Sequence, residues 1–137
     1  MPTSWASSLL RASSSSRSLS GASSYDFHGI ADRTLETYEE LLIGVVEDDD
    51  DDTLDVQYDS GVLELKLGSK GTYVINKQAP NEQLWLSSPV TGPFRYDYSV
   101  ADAQWYYARD NHRLHAKLSE EISKLLGREV PFPSTYT

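Results

Sequence analysis

The side chains best suited to metal or acid–base chemistry in this 137-residue chain are 21 acids and three histidines, and cysteine is absent. Thiolate catalysis, thiolate metal ligands and disulfides are therefore excluded. The acids are unevenly placed. Residues 26–64 hold fourteen of them against a single base, Arg33, whereas residues 65–137 hold seven against nine bases. Asp32, Glu36 and Glu40 recur every four residues, with Glu39 and Glu47 beside them. On a helix that spacing puts carboxylates on one face, where each like-charged pair costs about 0.3 kcal/mol. Asp48–Asp52 follows as an unbroken run that belongs in a solvated loop. Read as an EF-hand it fails, because Thr53 stands where the loop needs Gly and Asp59 where it needs Glu. Clustered carboxylates nonetheless bind hard cations at low affinity without a fixed loop geometry.

The histidines carry less. His112 and His115 are three apart at a helix start, a chelating spacing that lacks an accompanying motif such as HExxH, and His28 stands alone. No nucleophile elbow, phosphate loop or dinucleotide fingerprint occurs.

A different chemistry shows in Gly71 to Asp97, GTYVINKQAPNEQLWLSSPVTGPFRYD, which reads as strand, turn, strand, turn, strand. Alternation puts Tyr73, Ile75, Leu84, Leu86, Phe94 and Tyr96 on an ordinary core face. The opposite face displays Trp85 among Asn76, Gln78, Gln83, Arg95 and Asp97, and a large aromatic beside Arg is the usual anchor of a protein contact.

The elements that position these groups follow from periodicity. From Tyr25, the stripe Ala31, Leu35, Tyr38, Leu42, Val45 predicts a helix capped by Ser23 or Ser24, with the acids on its far side. Leu54 to Tyr58 and Val62 to Leu67 form a hairpin around Asp59-Ser60-Gly61. Gln104 to Ala108 makes a sixth strand in which Trp105 is core. A second helix, capped by Asp110 or Asn111, carries Leu114, Leu118, Ile122 and Leu125 and stops at Gly127, after which Val130-Pro131-Phe132 closes the groove between the helices. Consecutive strands with short turns imply an antiparallel meander, and two terminal helices can cover only one of its faces. The expected fold is α+β, an α-β sandwich with two terminal helices on one face of a five- to six-stranded antiparallel sheet.

Residues 1–24 are Ser-rich with Arg11 and Arg17 and no acid, the composition of a cleaved organelle transit peptide, which does not separate mitochondrion from chloroplast. The domain is then 25–137. The net charge of −9 opposes an RNA-binding use of the sheet, and no apolar run approaches the length of a spanning helix.

The stretch 71–97, together with FHGIADRTLE (27–36), SGVLELKLG (60–68), the Trp105 strand and LHAKLSEEI (114–122), closely resembles the frataxin family over residues 25–132. The tail GREVPF and the second helix are most similar to plant or algal members. The resemblance implies a mitochondrial matrix protein, with the chloroplast as a second site, acting in iron–sulfur cluster assembly, iron homeostasis and haem synthesis. It implies weak binding of Fe2+/Fe3+ by Asp32, Glu36, Glu39, Glu40, Glu47, Asp55 and His28. It implies docking on a cysteine desulfurase and its scaffold protein through Asn76, Lys77, Gln78, Gln83, Trp85 and Arg95, by a monomer that iron can drive into oligomers. The sequence departs from the family where Ile43, Gly44, Val45 and Val46 replace a more acidic stretch, and where Gly29 stands close to a helix start. The expected function is an iron-binding activator of cluster assembly. The alternative is a ferroxidase or iron-storage protein, for which no built catalytic site is visible.

Overall fold

The computed structural model describes residues 25–134, so the transit peptide read into residues 1–24 lies outside it. Among the described residues, α1 (Phe27–Glu47) is followed by β1 (Leu54–Asp59), β2 (Val62–Leu67), β3 (Thr72–Gln78), β4 (Gln83–Ser88), β5 (Gly92–Ser99), β6 (Gln104–Tyr107) and α2 (Leu114–Leu126). The strands lie in sequence order and every neighbouring pair is antiparallel. Both helices pack on one face, as expected from the meander and the two terminal stripes.

α1 buries Phe27, Ala31, Thr34, Leu35, Tyr38 and Leu42, while Val45 is only half-buried as the helix runs off the sheet. Its cap is Asp26, not Ser23 or Ser24: the carboxylate accepts from the Gly29 backbone N–H at 3.0 Å. That accounts for Gly29, because a Cβ there would collide with the capping carboxyl of Asp26. The helix passes through Ile43–Val46 unbroken and ends at Asp48, whose N–H bonds back to the Gly44 carbonyl, while the Asp49 N–H bonds to that of Val46.

The β1–β2 turn places Ser60 and Gly61 at φ of 52° and 81°, the left-handed pair whose twist matches that of a hairpin. Leu63, Leu65, Leu67, Tyr73, Ile75, Leu84, Leu86 and Tyr96 then face the helices and are buried, and Phe94 on the same face is half-buried. Trp105 is core, as its parity implied: it is 1% exposed, and its indole N–H donates to Thr34 Oγ1, which in turn donates to the Ile30 carbonyl.

β6 stops at Tyr107 rather than Ala108. Arg113 takes the cap position of α2 without a side-chain bond, while Asp110 accepts from the backbone and ring of His112 instead of capping the helix. Gly127 ends α2 in the left-handed region. The tail closes over the helices: Val130 is held by Ser119 and Ser123 of α2, and Phe132 meets Tyr38 of α1 edge-on at 5.0 Å between centroids. α2 also buries one charge, Glu121, which receives the hydroxyls of Tyr73, Ser88 and Thr91 and the Lys117 ammonium, all within 3.0 Å.

Candidate functional site

Two surfaces carry the residues picked out by type and spacing. The first is the far side of α1. Glu36, Glu40 and Glu47 are exposed, Asp32 and Glu39 half-buried, and His28 is exposed on the first turn against Phe27. A rise of about 1.5 Å per residue separates Asp32 from Glu47 by roughly 22 Å. These acids therefore form a line, and among the described residues no three carboxylate or imidazole groups converge on one point. Asp32 is already engaged, its carboxylate 2.8 Å from the Lys77 ammonium. Asp55 alternates with the buried Leu54 and so lies on the outer face of the sheet edge, bonded to Gln57, rather than with the helix acids. Tyr58, between them on the inner side of β1, has its phenol pushed up by burial and then by the charges of Asp32, Glu36 and Glu39.

The loop beyond α1 spends part of its charge on itself. Asp49 accepts from the Asp51 N–H and lies near Arg128, and the Thr53 N–H and hydroxyl hold the Asp51 carboxyl below its usual range. At the other end of the molecule His112 and His115 do not form a chelating pair. The His112 ring lies between the Tyr96 hydroxyl at 2.6 Å and Asp110 at 2.7 Å, and His115 is held low in pKa by burial and by Arg113.

The second surface is the sheet face that neither helix covers. Pairing places Asn76, Trp85 and Arg95 side by side across β3, β4 and β5. The Arg95 guanidinium lies over the Trp85 ring, 4.4 Å from its centroid. The indole N–H donates to Gln83 Oε1 at 2.9 Å, and Gln83 Nε2 donates to Asp97 Oδ1 at 3.0 Å. Gln78 lies at the end of β3 with its amide oxygen taken by Asn81. Lys77 does not share this face: its parity is that of Tyr73 and Ile75, and its side chain crosses the Gly61 turn to reach α1. Asp97 belongs with the face and shares the parity of Arg95, the one signal in the sequence that brings it to the indole.

Comparison with known proteins settles the kinship. The family profile described as a frataxin-like domain matches residues 20–128. The chain belongs to the frataxin family. It is 47% identical over 111 residues to the mitochondrial frataxin homolog of Schizosaccharomyces pombe, covering 78% of this chain and 68% of that protein. It is 42% identical to mitochondrial frataxin of Arabidopsis thaliana, covering 77% of this chain but only 56% of that longer protein. The frataxin fold is matched as well. A trimeric Saccharomyces cerevisiae frataxin complexed with ferrous iron superposes with a TM-score of 0.64 at 34% identity, covering 80% of this chain and 94% of that one. Frataxin from Psychromonas ingrahamii gives 0.63 at 25% identity, covering 79% and 95%.

Proposed function

We propose that this frataxin-family chain is an iron-binding activator of mitochondrial iron–sulfur cluster assembly. In this reading the uncovered sheet face docks on the cysteine desulfurase and scaffold complex, and the acids of α1 collect Fe2+. Residues 1–24 serve as the import leader. The observation that carries the proposal is the Trp85–Arg95 pair, a stacked aromatic and guanidinium on the sheet face that neither helix covers. A half-buried indole beneath an exposed guanidinium suits an interface, where Trp and Arg supply most of the energy of typical contacts. Hard carboxylate oxygens fit ferrous iron as a transient cargo, and a line of separated acids suits capture and release better than permanent retention.

A reconstituted desulfurase and scaffold assembly, with and without Fe2+, tests the reading. Trp85→Ala is expected to remove most of the stimulation of sulfide production, and undiminished stimulation overturns docking by this face. The ferroxidase alternative would gain from catalytic turnover of Fe2+ and oxygen at substoichiometric protein that is lost on neutralising Glu36 and Glu40.

A further inference from the structure

Trp85 is held, not merely displayed. A lone tryptophan on a sheet has two soft torsions, and its N–H is free to find any acceptor. Here that N–H is spent on Gln83 Oε1, and the amide of Gln83 cannot turn away, because its nitrogen end is bound to Asp97 Oδ1. A flipped amide would set its NH2 against the indole N–H and its oxygen against a carboxylate, two repulsive contacts in place of two bonds. The acceptor-only carboxylate of Asp97 therefore fixes the amide orientation, which in turn fixes the indole. Asp97 sits across the ladder on β5, so the chain of bonds spans two strands and is braced by their pairing.

We propose that Asp97 is a positioning residue of the docking face: acting through Gln83, it locks the indole of Trp85 in the pose that a partner receives. The inference rests on the docking reading above. It also restricts the partner's chemistry. With its N–H already bonded inside the chain and one ring face under Arg95, Trp85 offers its remaining ring surface and not a hydrogen bond. The partner must meet it with an apolar or flat group. Arg95 takes part in no ion pair among the described residues, which leaves its N–H donors for the partner's carbonyl or carboxylate oxygens.

The test uses Asp97→Ala and Asp97→Asn, the second keeping an oxygen that can accept from Gln83. On the free protein, the Trp85 indole N–H signal, assigned by its loss in Trp85→Phe, is expected to shift and to exchange faster with solvent in Asp97→Ala. It is expected to return to its original position in Asp97→Asn. In the reconstituted assembly, Asp97→Ala is expected to raise the concentration needed for half-maximal stimulation about three- to tenfold with the maximal rate retained, since ordering an indole on binding is what the lock avoids. Asp97→Asn is expected to restore it. An unmoved indole signal in Asp97→Ala, or failure of Asp97→Asn to rescue, overturns the proposal. So does a moved indole with unaltered stimulation while Trp85→Ala still abolishes it. If Trp85→Ala itself is silent in the assembly, the docking reading falls, and the indole measurement on the free protein still decides whether Asp97 sets the pose.

Discussion

The Lys77 ammonium stands 2.8 Å from the Asp32 carboxylate, joining β3 to α1 at the head of the acidic ridge. Asp32 therefore shares its charge with a resident cation, whereas Glu36 and Glu40 do not take part in the ion pairs among the described residues.

Lys77→Met should strengthen ferrous binding on the ridge. Two unit charges 4 Å apart in water interact by about 1 kcal/mol, so removing the lysine is expected to raise the affinity about two- to fivefold. Asp32→Asn should weaken it less than Glu36→Gln does. Anaerobic calorimetric titration checks both, and the loss of stability in Lys77→Met should stay below about 1 kcal/mol because the pair is partly exposed.

Glu121 should dominate the acid limb of stability. Burial alone would raise its pKa, but the hydrogen bonds from Ser88, Thr91, Tyr73 and Lys117 outweigh burial and hold it below the ordinary 4.5. A folded value below the unfolded one means that the stabilisation is complete above about pH 4.5 and is lost as pH falls through the folded value. Glu121→Gln removes the charge and sets an amide NH2 among donors. Chemical denaturation at pH 7 should show a loss of about 2 to 4 kcal/mol, and the decline of stability below pH 5 should flatten.

Two glycines should respond in opposite directions. Gly44 is an exposed helix residue with helical geometry, and a Cβ there meets nothing within 4 Å. Gly44→Ala should stabilise by about 1 kcal/mol. Gly71 sits at φ 110°, where a Cβ would lie 2.5 Å from the Pro89 side chain. Gly71→Ala should destabilise by about 2 kcal/mol, the combined cost of left-handed backbone and a forced shift of the β4–β5 turn. Thermal melts of the two variants provide the comparison.

Phe132 is 7% exposed and packs on Tyr38. Phe132→Ala should cost about 3 kcal/mol, and ending the chain after Glu129 should cost more, because Val130 and its bonds to Ser119 and Ser123 go with it. Urea denaturation would register both losses.

Much of this was legible in the chain. Parity along the strands placed Trp85 and Arg95 outward and Trp105 inward, because a sheet covered on one face imposes an alternation that sequence displays directly. The stripes of both helices and the Gly127 stop were equally plain. Caps were not. Ser23, Ser24, Asp110 and Asn111 are all competent cap residues, and local competition decides: Asp26 reaches the Gly29 N–H, while Asp110 is drawn off by His112. Glu121 reads as one more solvated helix acid beside Glu120, and only the tertiary meeting of Tyr73, Ser88 and Thr91 turns it inward. Lys77 hides likewise, since a long stem lets an inward-facing lysine near the end of an interior strand escape to an acid on the helix.

The order of the strands bears on how the molecule assembles. Each strand pairs with its neighbour in sequence across a short connection, so the sheet can grow by successive local closures, none of which pays for a long loop. The contact that joins the two extremities is different: Tyr38 of the first helix meets Phe132 of the tail only after the intervening sheet exists to support them. Folding is then a zippering of the sheet accompanied by long-range closures onto the first helix, such as Trp105 on Thr34 and the clasp of Phe132 on Tyr38. A chain still emerging from a translocation channel or a ribosome would hold its strands and its Trp85 face while lacking the clasp.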